Sequence, residues 1–184
     1  PLTISVNKPI IVLHGWQGLF KNGTASAAVS NNFQIRNIHI KCLGTLGNYG
    51  GGICRRYFGK GMLSSANLIE NCSFQGDIGT KAGGICGFMC GTDGTVQIKN
   101  CYSTGSIGTD AGGICGSECG QDYGTVQIKN CLYNYDGCEN NSITRMASND
   151  PVFANNQDQF KKVIGSLALD FKSIDIDNTH YFAD

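Results

Sequence analysis

The 184 residues carry 14 Lys and Arg against 14 Asp and Glu, a formal charge of zero, and charged residues make up only 15% of the chain. Such a balance gives no electrostatic footprint for nucleic acid or an anionic membrane, and no apolar run approaches the ~20 residues that a membrane helix needs. The Lys and Arg are scattered, with Arg55-Arg56 and Lys161-Lys162 the only doublets.

Residue 1 is Pro rather than Met, so the chain reads as a processed product or a fragment. Residues 1–35 hold two expected strands, Leu2 to Val6 and Pro9 to Leu13, with a turn over Phe20 to Thr24. This segment is expected to be an opening coil or N-terminal β cap. The run Ile10-Ile11-Val12-Leu13-His14-Gly15 is similar to the oxyanion-hole strand of α/β-hydrolases. That fold also needs a Gly-x-Ser-x-Gly elbow, and no serine here has Gly both two before and two after it. His14 and Trp16 are therefore read as capping residues. Asn22-Gly23-Thr24 matches the glycosylation pattern, and Asn22 is a site for sugar if the chain passes through a secretory pathway.

Residues 36–138 repeat. Ile69 to Gly87 and Ile98 to Gly116 spell nearly the same text, each with Asn-Cys near its start and Gly-Gly-Ile-Cys-Gly at its end. One set of cysteines stands at 42, 72, 101 and 131, in steps of 30, 29 and 30; the Gly-Gly-Ile-Cys cysteines stand at 54, 86 and 115, in steps of 32 and 29. A fixed period in this range marks a repeat architecture. Val96-Gln97-Ile98-Lys99 alternates with the strand period of two, and the other short apolar runs are bounded by Gly. The expected fold is all-β: a parallel β-helix of about 30-residue coils, with about three short strands per coil. The Gly pairs at 51–52, 83–84 and 112–113 are expected at sharp corners, where a Cβ would clash or φ must be positive.

The unit Asn-Cys-Tyr-Ser-Thr-Gly-Ser-Ile-Gly, closed by Gly-Gly-Ile-Cys-Gly, resembles the GLUG-type repeat over roughly residues 36–135. Such repeats are found in bacterial surface and adhesin-like proteins, and Cys-rich versions resemble repeat proteins encoded by giant viruses. The resemblance implies a scaffold with no shared catalytic set. It also implies placement on a virion or an extracellular surface.

The ten cysteines suggest an oxidising compartment or an extracellular particle, although an inward Cys also packs as a small apolar residue. Cys90 and Cys119 follow Cys86 and Cys115 in a Cys-x-x-x-Cys pattern that the first repeat lacks. A Cys90–Cys119 bridge between coils is one option; Cys86–Cys90 with Cys115–Cys119 is the other. The loops after Cys86 and Cys115 differ in sequence, Phe88-Met89 against Ser117-Glu118, and are the expected exposed binding loops.

Residues 139–184 break the repeat and are expected to form a small mixed cap or docking segment. Asp158 to Leu169 fits a short helix, with a strand through Ile174 and Ile176 after it.

No catalytic constellation emerges. By alignment Asp77 faces Ser106, Asp110 faces Lys81 and Glu118 faces Met89, so only Asp93 and Asp122 stack, in Gly-flanked turns. Zinc sites favour Cys-x-x-Cys spacing. Neither a metal nor a cofactor is expected. The reading is a non-enzymatic structural or surface protein, a rigid rod that decorates or cements a larger assembly such as a virus particle. Its expected partners are other protein chains, through self-assembly or a lattice, with surface glycans as an alternative; nucleic acid and membrane insertion are not expected. An adhesin or glycan-binding module is the second reading, and a β-helix carbohydrate-active enzyme the third.

Overall fold

A computed structural model describes residues 8–26, 33–61, 66–134, 165, 174–177 and 180–182. The chain is an all-β parallel solenoid of about four turns. One sheet stacks β1 (Ile10–Leu13), β3 (His39–Thr45), β5 (Ser73–Asp77), β7 (Tyr102–Thr104), β9 (Leu132–Asn134) and β11 (His180–Phe182), in that order. The second stacks β2 (Gln34–Arg36), β4 (Ala66–Glu70), β6 (Thr95–Lys99), β8 (Thr125–Lys129) and β10 (Ile174–Asp177). Every pairing is parallel. A third side is reduced to bridges, Gly51↔Gly83↔Gly112 and Phe20↔Cys54↔Cys86↔Cys115.

The alternating sequence produces the ladders directly. In β6 and β8 the identical Thr-Val-Gln-Ile-Lys turns Val and Ile inward and leaves Thr and Gln half-exposed. Register stacks Ile35, Ile69, Ile98, Ile128 and Ile176, so the steps are 34, 29, 30 and 48 residues. Asn37, Asn71, Asn100 and Asn130 take the corner after each of the first four strands with φ of 52–56°. Asn tolerates the left-handed region better than other side chains carrying a Cβ. Asn130 Nδ2 also donates to Asn100 Oδ1 at 3.3 Å.

The Gly pairs serve close approach rather than positive φ. None of the six is in the left-handed region. A Cβ on Gly52, Gly84 or Gly113 would collide with Phe74, Ser103 or Tyr133, the buried side chains of the facing strand. These three alternate large, small and large along the stack, and Ser103 Oγ donates to the Gly113 carbonyl.

The structure corrects the cysteine register. The 30-residue step aligns Cys42 with Cys72 on paper, but Ile35↔Ile69 and His39↔Ser73 put Ile38 in that column. Cys42 lies instead in the bulged part of β3, opposite Val12 on one side and against Gly76 on the other. The first coil is longer, and equal spacing between two cysteines did not reveal that.

Residues after 139 do not all depart from the repeat. β10 and β11 extend both sheets, and Gly165 continues a third-side column. A Cβ on Gly87, Gly116 or Gly165 would sit 2.8 Å from the backbone N of Arg56, Phe88 or Ser117, the same contact in three successive coils. The helix expected at 158–169 lies outside the described residues, Gly165 excepted, as does the strand expected at 2–6.

Candidate functional site

The interior is lined with thiols. The nine described cysteines are all free and buried, and no two are at disulfide distance. Neither Cys90–Cys119 nor the intra-loop pairs are bonded. Cys54, Cys86 and Cys115 stack as a column, and Cys90 and Cys119 touch it from the side. Phe20 continues the column at its N-terminal end and Phe58 fills the place of Cys90 in the first coil. Cys72, Cys101 and Cys131 form a second column, each thiol donating to the carbonyl two residues before it, at 3.1–3.4 Å. Burial pushes the Cys54, Cys86, Cys101 and Cys115 thiols up, so these groups stay neutral. Hydrogen bonds from Cys115 and Cys86 pull Cys90 the other way. Among the described residues no group of three or more His, Cys, Asp or Glu is disposed to hold a metal ion. A column of thiols along an axis does not converge on a centre as a tetrahedral site does.

The loops after Cys86 and Cys115 are tight turns, not projecting loops. Ser117 is wholly buried, its Oγ donating to the Asp110 carbonyl, with Gly165 of the next coil against its backbone. Met89 and Glu118 are half-buried at equivalent left-handed turn positions, φ 53° and 58°. Phe88 is brought into a cluster: its ring meets Tyr49 at 5.3 Å and Tyr57 at 6.1 Å, both edge-to-face. Asn22 is buried, its amide spent on Asn67 Oδ1 (2.9 Å) and the Gly59 N–H (2.7 Å). That placement withdraws it as a glycosylation acceptor.

Beside the aromatic cluster a cavity of about 350 Å³ is lined by Lys21, Thr24, Ser26, Arg55, Arg56 and Tyr57, among others. Among the described residues no carboxylate lines it. Lys60 closes one flank, with Nζ 2.6 Å from the Ala25 carbonyl and 5.9 Å from the Tyr57 ring centre. Since Phe20 pairs with Cys54, Lys21 and Arg55 occupy neighbouring positions on adjacent coils. Sequence reading passed over this corner because it counted charges across the whole chain. The signal was present: the first acidic residue is Glu70, after seven cations (Lys8, Lys21, Arg36, Lys41, Arg55, Arg56, Lys60). The other seven cations and all 14 acids follow, so residues 1–69 carry +7 and residues 70–184 carry 7 − 14 = −7. Among the described residues the charge is segregated along the stack: seven cations and no acid up to residue 61, then three cations and eight acids from residue 66 on.

No family model, curated protein or solved structure matches this chain.

Proposed function

We propose that the protein is a non-enzymatic structural element, a stiff solenoid that builds into a larger assembly at a particle or cell surface by stacking end to end. One observation carries the reading. At a single register position the second sheet runs Arg36, Glu70, Lys99, Lys129 and Asp177 from end to end. The cationic member stands on the terminal strand β2 and the acidic member on the terminal strand β10. A second copy placed β2 against β10 would set Arg36 opposite Asp177, and the ladder would continue with opposite charges adjacent. Among the described residues, the cations of 8–61 and the excess of acids from 66 on favour the same orientation at longer range. Among the described residues, β1, β2, β10 and β11 carry no further strand on their outer edges. Such edges pair readily with another chain. The polar side chains on the sheets support scaffold use too: Asp77 accepts from the Ser106 N–H and Oγ, and Gln97 Nε2 donates to Gln127 at 2.9 Å.

Sedimentation velocity over a concentration series tests the proposal. Low salt should give a ladder of elongated species that shortens at about 0.5 M salt, where charges are screened within a few ångströms. Asp177→Asn should weaken it. A single monomeric species at the highest attainable concentration, in low salt and alone or with particle extract, would sink the reading.

A further inference from the structure

The basic corner at the N-terminal end of the third side gathers charges that stacking does not require. Lys21, Arg55 and Arg56 crowd like charges onto adjacent coils, and none has a carboxylate partner among the described residues. Arg36, by contrast, is paired with Glu70 at 2.8 Å. Like charges on neighbouring strands repel, and a ligand anion removes that repulsion while accepting paired N–H donors from guanidinium groups. The cavity is concave and near the lower end of the range for small-ligand sites, roughly 300–1,000 Å³. Its size fits one ring with its acidic substituent. Its wall is hydroxylated and aromatic: Thr24, Ser26 and Tyr57. Tyr57 already carries Lys60 over its ring and meets Phe88 at 83°, so it forms a wall rather than an open platform for a nucleobase. The other N-terminal cations do not extend the corner into a phosphate track; Lys41 lies on the outer face of β3 and Arg36 is paired with Glu70.

We propose that this corner binds an acidic saccharide. The sulfate or carboxylate is held by Arg55, Arg56 and Lys21, and the sugar hydroxyls face Thr24, Ser26 and Tyr57. The edge-to-face contacts of Phe88 with Tyr49 and Tyr57 fix the wall across two coils.

Titration calorimetry on the full chain tests this with four probes: a heparin-derived hexasaccharide, an oligogalacturonate, a neutral maltohexaose and a single-stranded oligodeoxynucleotide. One or both acidic saccharides should bind, with affinity falling as salt rises, and the neutral one should not. The double variant Arg55→Ala/Arg56→Ala should lose about tenfold or more in affinity, whereas Lys41→Ala, in the same acid-free segment but on another face, should match the parent. Both arginine side chains are exposed, so the fold should survive, and the amide shifts of Lys21, Arg56 and Tyr57 in the unmodified protein give a second readout. The proposal is overturned if neither acidic saccharide binds, if Lys41→Ala weakens binding as much as the double variant, or if the oligonucleotide binds more tightly than both.

Discussion

At the scale of single residues, cysteine here serves as a packing unit. A thiol is small and only weakly polar, so it fills a column where Ile or Phe fills the neighbouring coil, as Ile38 does above Cys72 and Phe20 above Cys54. Two outcomes follow. Native protein should resist alkylation at the nine described cysteines and react fully in denaturant, with Tm unchanged by reducing agent; a Tm that drops on reduction would restore the disulfide reading. The second outcome concerns pH. Burial raises the folded-state pKa of Cys54, Cys86, Cys101 and Cys115 above the ordinary value of 9.0. A raised pKa means that the unfolded chain loses these protons first as pH climbs. Their contribution is therefore fully present below about pH 9 and is lost as pH rises through the folded-state values. Thermal melts between pH 8 and 11 should show Tm falling above pH 9, less steeply in Cys54→Val; a flat profile would refute this.

At the scale of the element, each coil is fixed by what its neighbours leave room for. Gly84 faces Ser103, and a methyl group there meets both the Gly113 carbonyl and the Ser103 side chain. Gly84→Ala should cost about 1–3 kcal/mol, as overpacking does, read from denaturant unfolding. Asn67 is a different case. Its register partners in the next two coils are Val96 and Val126, so the ladder alone asks for an apolar residue. Asn67 is retained because its Oδ1 accepts from Asn22 Nδ2 and from the Phe33 N–H at 3.0 Å. Asn67→Val should thus destabilise by about 1–3 kcal/mol despite matching its neighbours, since it strands the buried Asn22 amide donor and the half-buried Phe33 N–H. Equal or greater stability would show that the ladder outweighs the polar junction. These elements also show what sequence could and could not reveal. The strand period, the parallel stacking and the Gly-Gly approach were legible, because identical side chains must meet their own copies one coil away. The longer first coil was not, because Cys42 falls at a plausible spacing while the bulge between Lys41 and Thr45 absorbs the difference. The strand through Ile174 and Ile176 was legible from its alternation and is β10, but its place as the next rung beside β8 was not, because Asp stands where β8 has Gln and Lys.

At the scale of the whole molecule, a net charge of zero concealed two opposite halves. Interactions between solenoid ends depend on which residues sit on the terminal coils and not on their sum, so the composition pointed away from both the stacking and the basic corner. The two proposals make separable demands. Stacking needs the edges of β2 and β10, while saccharide capture needs Arg55 and Arg56 on the third side. The double arginine variant should still form end-to-end species, and Asp177→Asn should still bind the acidic saccharide. Loss of both behaviours in either variant would mean that only diffuse charge is at work.

The repeated strand Thr-Val-Gln-Ile-Lys has one more consequence. β6 and β8 are interchangeable in text, and the path from Cys86 to Cys115 spans 115 − 86 = 29 residues and returns to the same place on the third side. Length is therefore a countable property of this molecule. Copying that segment once should add a single rung, about 4.8 Å of rod, and require no new kind of contact. A gene that gains or loses such a segment by unequal exchange would yield a longer or shorter ruler with its two ends unchanged.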